Sequence, residues 1–194
     1  MIVGFDISTS IVGITFLDDS ARFLEAHAII LPNSTLPERA LFLETKLHKI
    51  FEENSKTFNY DVKEIWIEEP FQMFAKGGSS AATMMRLASF NGMCQFMLHR
   101  MTDVVPGLVN ANAARKLVGL KIQREKTCGV STKEQVLTWA KSRLLIECPL
   151  FPWPKKTLKS GPRKNLTIDC PSCYDIADSL VVANAGFIKS RSIR

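Results

Sequence analysis

Ile2-Val3-Gly4-Phe5-Asp6, then Ser8-Thr9-Ser10, then Val12-Gly13-Ile14-Thr15-Phe16-Leu17: two short apolar runs are joined by a cluster of hydroxyl side chains. Runs of this length, rich in β-branched and aromatic residues and separated by turn formers, read as strands. Asp18-Asp19-Ser20 is a second turn, and Arg22 to Ile30 is a third strand that stops before Pro32. Connections this tight predict an antiparallel meander, because parallel neighbours need a long crossover. The first strand closes on an acid, Asp6, where the apolar run predicts burial.

Downstream the pattern changes. Pro37 opens a helix whose Leu41, Leu43, Leu47, Ile50 and Phe51 approximate a helical stripe. Glu64-Ile65-Trp66-Ile67-Glu68 is a compact fourth strand, ended by Pro70, which cannot donate to a ladder. Ser79 or Ser80 caps a helix to about Arg100, and a short fifth strand lies around Pro106-Gly107. Asn110 or Asn112 caps a short helix ending at Gly119, and Ser131-Thr132-Lys133-Glu134 caps another to about Leu145. A last helix runs from near Cys173 to Phe187, with a basic tail, Lys189 to Arg194, expected to fray. This order predicts an α/β fold: a mixed five-stranded sheet, three antiparallel strands and then parallel ones, flanked by helices.

The chain has 194 residues, the size of one domain. Its 46% hydrophobic and 23% charged residues exclude disorder and fibrous repeats. No apolar run approaches the length of a membrane span, and no signal peptide is evident, so a cytoplasmic location is expected. The five cysteines read as free thiols of a reducing compartment. The net charge of +6 is uneven: residues 115–164 hold 13 Lys and Arg against 3 Asp and Glu, whereas residues 1–114 hold 9 against 13. A basic block of this size suggests a polyanion, nucleic acid being the commonest; the plainer alternative is a solvated basic face. It includes a basic loop, 119–131, and a long excursion, 148–172, that holds five of the nine prolines. Long loops are usually functional or mobile.

Four carboxylates stand where acids are costly. Asp6 ends the first strand and Glu68 the fourth, with Glu69 beside it but directed to the opposite face. Asp175 and Asp178 share one face of the last helix. Buried acids need something positive, and converging carboxylates suit Mg²⁺ or Mn²⁺. Two such ions can clamp the attacking and leaving oxygens of a phosphodiester. Singly, each acid has an ordinary explanation: an Asx turn at Asp6, a solvated edge pair at Glu68 and Glu69, a helix-dipole preference at Asp175 and Asp178.

These residues also carry a resemblance. Gly4-Phe5-Asp6 with Gly13, Ile67-Glu68-Glu69-Pro70-Phe71, and Asp175-Ile176-Ala177-Asp178-Ser179-Leu180 resemble, in order, motifs of the RuvC-type Holliday junction resolvases of the RNase H-like superfamily, phage members in particular. Val118-Gly119 and Lys133-Glu134-Gln135-Val136 resemble the stretch that supplies the family's active-site lysine. The resemblance implies one RNase H-like nuclease domain over residues 1–194, working in the cytoplasm, the host's for a phage-encoded chain. It implies two Mg²⁺ or Mn²⁺ ions on Asp6, Glu68, Asp175 and Asp178, and Lys133 at the scissile phosphate. It implies a homodimer that nicks a four-way DNA junction symmetrically, with Phe71 stacking on a base near the crossover. Phe74, Lys76, Arg115, Lys116, Lys121, Arg124 and Lys126 are the further expected DNA contacts. The chain departs from the family in having Ile7-Ser8 after the first Asp, a longer segment from Gly119 to Lys133, and 148–172 as an insertion.

Three other features have competing explanations. Asp6-Ile7-Ser8-Thr9-Ser10 also resembles the phosphate hairpin of sugar kinases and actin-like ATPases, which need two lobes of about this size each. Cys170-Pro171-Ser172-Cys173 lacks a second ligand pair for zinc; Cys148 could add one, whereas His27, His48 and His99 are distant in sequence. Met84, Met85, Met93, Phe96 and Met97 make the helix after Ser80 richer in apolar residues than one stripe needs, fitting either a buried core helix or a dimer interface. A non-catalytic DNA-binding protein with structural acids is the alternative to a nuclease.

Overall fold

A computed structural model describes residues 1–58, 61–70 and 80–192 of the chain, without the side chain of Phe58. Three strands, β1 (Ile2–Ile7), β2 (Ile11–Leu17) and β3 (Phe23–Ile30), form the expected meander. Helix α1 (Leu36–Phe58) crosses back to β4 (Glu64–Glu68), which pairs parallel to β1. Helix α2 (Ala81–Thr102) leads to β5 (Gly107–Val109), parallel to β4. The sheet order is β3-β2-β1-β4-β5. Helices α3 (Ala111–Leu117), α4 (Glu125–Cys128) and α5 (Thr132–Glu147) follow, then a hairpin of β6 (Lys155–Thr157) and β7 (Thr167–Asp169), then α6 (Ser172–Ser192). Among the described residues no helix is long and apolar enough to cross a membrane.

Strand alternation divides the molecule into two layers of core. Val3, Phe5 and Ile7 of β1, Val12, Ile14 and Phe16 of β2, and Ile65 and Ile67 of β4 turn to one face, where α1 and α2 cover them with Leu43, Leu47, Phe90 and Leu98. Ile2 and Leu17 turn to the other face, against Ala177, Leu180 and Ala183 of α6 and Val136 and Ala140 of α5. Asp6 and Glu68 belong to this second face, two residues beyond Gly4 and Trp66 on their strands.

Helix α6 lies close on the sheet because the residues beneath it are small. A Cβ on Gly4 would come within 2.6 Å of the Ser179 carbonyl oxygen, and one on Gly13 would overlap the Asp175 carbonyl. Between these contacts the buried hydroxyls of Thr15 and Ser179 hydrogen-bond at 2.8 Å. The Ser179 hydroxyl also donates to the Ile176 carbonyl at 2.9 Å, so the group this bond satisfies is Thr15, which would otherwise cost about 1–3 kcal/mol. Farther along α6, Gly186 lies on the Trp66 indole, which Gly107 of β5 also approaches closely.

Three local expectations change. The basic tail does not fray before Ser192: Lys189 donates to the Leu108 carbonyl at 3.0 Å and sits over Trp66, and Arg191 pairs with Glu64 at 2.7 Å. The excursion after α5 holds the β6–β7 hairpin, and the basic loop holds α4. The loop is tied down by Gln135, whose side-chain amide bonds the backbone of Gln123 at 2.8 and 2.9 Å and the Val130 carbonyl at 2.9 Å.

Candidate active site

The parallel pairing of β1 with β4 puts Phe5 opposite Ile67. One residue further, Asp6 and Glu68 leave the sheet side by side at the same end and on the same face. Asp6 pairs across β2 with Gly13, and the bare Cα of Gly13 admits the backbone of Asp175 in the first turn of α6. Asp178 follows one turn on. The fold thus gathers the four acids singled out from the sequence at one corner, all of them part-buried.

Each acid feels this corner. Burial, then the charges of Glu68, Asp178 and Asp175, push the Asp6 carboxyl well above the usual range, against a smaller pull from Lys133. Burial and Asp178 push Glu68 up to about 7, with Arg115 opposing. Burial raises Asp175 to about 6, Lys133 opposing and Asp178 adding. Burial also raises Asp178, while Arg115 and Lys133 hold it back. Because each carboxyl feels its neighbours' charge, the four do not titrate independently.

Two cations face the acids. The first turn of α5, fixed by a capping box between Ser131 and Glu134, carries Lys133. Its ammonium lies 5.9 Å from the Tyr174 ring and reaches the electrostatic field of Asp6, Asp175 and Asp178 while remaining exposed. Arg115 of α3 is part-buried, with Nη2 3.6 Å from Asp178 Oδ1. Sequence reasoning counted Arg115 only as a DNA contact. Its pairing with Asp178 joins residues far apart in the chain, which no spacing rule encodes. Asn110 caps α3 by accepting from the Asn112 and Ala113 amides, and so fixes the helix that carries it.

The donor set fits a hard divalent cation: four carboxylates, raised by burial and mutual repulsion. Among the described residues no three His, Cys, Asp or Glu form a ready-made group for a metal ion. The same finding applies to the cysteine pair: Cys173 is buried and its thiol donates to the Pro154 carbonyl at 3.1 Å. Glu69 follows β4, and its amide donates to the Val109 carbonyl at 2.9 Å.

Lys116, Lys121, Arg124 and Lys126 are exposed. Lys116 and Lys121 line, with Arg115, Asn112 and Ile122, a cavity of about 430 Å³ beside the acids. Phe71, Phe74 and Lys76 lie outside the described residues.

A three-stranded meander extended by parallel strands, with a C-terminal helix across it, defines a mixed five-stranded α/β fold flanked by helices. Among solved structures it is similar to Thermus thermophilus RuvC in complex with a Holliday junction substrate, with 14% identity, 99% of this chain and 96% of that one covered, and a TM-score of 0.58. A second Thermus thermophilus RuvC structure matches at 16% identity over 98% and 95% of the two chains, with a TM-score of 0.55. Likeness at these identities establishes the fold. No protein-family model matches the sequence, and no curated protein does.

Proposed function

We propose that the protein is a divalent-metal-dependent, structure-selective DNA endonuclease that resolves four-way junctions by paired nicks, working in the cytoplasm. The observation that carries this reading is the convergence of Asp6, Glu68, Asp175 and Asp178 at one end of the parallel pair β1–β4, faced by Lys133 and Arg115. The four carboxylates would hold two Mg²⁺ or Mn²⁺ ions. When bound, such ions polarise the scissile phosphate and stabilise the attacking and leaving oxygens.

The chain's own residues do the rest. Lys133, exposed at the mouth of the site, offsets phosphate charge as it builds. Arg115 balances Asp178. Lys116, Lys121, Arg124 and Lys126 extend positive charge from the site and seat the DNA backbone. Phe71, Phe74 and Lys76 follow β4 in sequence and are proposed to meet the crossover, Phe71 by stacking.

The nuclease is proposed to act as a homodimer through the outer face of α1 and α2. There Leu41 (63% exposed), Phe96 (70%) and Met93 line an apolar groove of about 350 Å³ with Pro37, Ala40 and Met97. Large apolar side chains gathered on a surface mark interaction sites. A symmetric pair suits a substrate with two equivalent strands to cut.

Incubation of a labelled four-way junction with and without Mg²⁺ tests the reading. Metal-dependent symmetric nicking is expected. Binding without cutting in Mg²⁺ or Mn²⁺ would establish the non-catalytic DNA-binding alternative instead.

A further inference from the structure

Between α5 and α6 the chain leaves the domain and returns, and the base of this excursion is firmly held. The Cys170 amide donates to the Pro154 carbonyl at 2.8 Å, and the Cys173 thiol bonds the same oxygen. Lys141 of α5 and Lys155 of β6 both pair with Asp169 of β7. Phe151 packs edge-on against Trp153 at 4.9 Å and Phe23 at 5.5 Å.

Beyond the base, β6 and β7 pair Lys155 with Asp169, Lys156 with Ile168 and Thr157 with Thr167. Bonds between Leu158 and Leu166 and between Asn165 and Leu158 prolong the ladder. Gly161-Pro162-Arg163-Lys164 forms the tip, closed by the Lys164 amide on the Gly161 carbonyl at 3.0 Å. Proline suits the second place of such a turn. Asn165 then takes a φ of 70°, a left-handed value that asparagine tolerates.

The hairpin has no buried face that would explain it as core. Every residue of β6, and every residue from Lys159 to Thr167, is exposed. Asp169 is the sole acid between Cys148 and Pro171, and two lysines already occupy it. Lys156, Lys159, Arg163 and Lys164 therefore project with no ion pair among the described residues.

We propose that the β6–β7 hairpin is a binding arm for the sugar–phosphate backbone of duplex DNA, with Lys156, Lys159, Arg163 and Lys164 seated on phosphates of an arm that flanks the cleavage site. The placement beside the cut rests on the proposed nuclease function, because the hairpin springs from the turn that opens α6 and its aspartates. Residues 155–169 contain no aromatic side chain, so the arm does not stack on bases. Lysine and arginine on an exposed ladder meet charge, and their contribution is independent of sequence.

The test compares wild type with the combined Lys156→Gln, Lys159→Gln, Arg163→Gln and Lys164→Gln variant, binding plain duplex and four-way junction in EDTA across a salt series. Each lost phosphate contact flattens the slope of log K against log salt by about 0.9. A slope smaller by about 2–4 and affinity weaker by about tenfold or more are expected on both DNAs. A companion in which the lysines become arginine and Arg163 becomes lysine keeps the charge and should bind as wild type does. Unchanged slope and affinity in the Gln variant, with an unchanged melting curve, would overturn the assignment. Because the assay needs no cleavage, the two readings fail separately. A chain that never cuts but shows the hairpin-dependent slope loses only the nuclease reading. One that binds neither DNA loses both.

Discussion

Gly13 and Asp175 touch backbone to backbone: the position opposite Asp6 on β2 has no side chain, and the carbonyl of Asp175 fills the space a Cβ would take. The strand pair that presents one acid is thus the seat of the helix turn that presents another. Gly13→Ala should push the first turn of α6 off the sheet. A stability loss of about 2 kcal/mol or more is expected, as for other overpacked sites, with junction cleavage lost alongside it. Thermal melts and cleavage assays check this; a variant with wild-type stability and cutting would mean that α6 is not held there.

Asp178→Asn keeps the shape of the side chain but removes one charge from a site where like charges repel. Cleavage in Mg²⁺ should disappear. Junction affinity in EDTA should be equal or tighter, and the metal-free melting temperature equal or higher. Near wild-type cutting would remove Asp178, and the four-carboxylate site with it.

Lys133→Ala should separate phosphate stabilisation from the carboxylates. Lys133 is exposed, so stability should hardly change. Loss of one charge-stabilising group predicts cleavage about 100-fold slower at saturating metal. The metal concentration giving half-maximal rate should stay near the wild-type value; a large shift in it would place Lys133 among the groups that set metal affinity.

The raised carboxylates make stability depend on pH. Glu68 titrates near 7 in the folded protein but at about 4.3 in an unfolded chain. Between those values the folded state holds more protons, so stability must fall as pH rises. Asp175, at about 6, acts in the same direction over a narrower window. In EDTA the melting temperature should therefore decline between about pH 5 and pH 7.5, and Glu68→Gln should flatten the decline. Mg²⁺ should raise the curve most at the alkaline end. A wild-type curve that climbs with pH in EDTA would contradict this account.

Phe96→Asp, alone or with Leu41→Glu, tests the dimer face. Both side chains are largely exposed, so the fold should persist. Light scattering should show the wild type as a dimer and the variants as monomers. A wild-type monomer, or a variant dimer, would move the interface elsewhere.

The sheet was legible because apolar runs and turn formers alternate cleanly from Ile2 to Ile30, and the helical stripes that follow are long. The acids were legible because Asp6 and Glu68 interrupt or end apolar runs. The hairpin was not: Lys155-Lys156-Thr157 has neither face buried, so it lacks the alternation by which strands announce themselves, and prolines beside it read as loop. The order of α6 to Ser192 was missed for a different reason. It depends on Trp66, Leu108 and Glu64, partners that only the folded sheet brings near.

Helix α6 supplies two of the four acids and covers the face that Gly4, Gly13, Thr15 and Trp66 would otherwise leave bare. The first strand therefore waits for the last helix. During synthesis, Asp6 and Glu68 can reach their places on the sheet while Asp175 and Asp178 do not yet exist. Contacts between such distant parts of a chain form late and carry the greatest loop-closure cost. A ribosome-bound fragment that stops short of α6 holds two of the four acids and lacks the helix that closes the second core layer, so completing the fold and completing the site are one event.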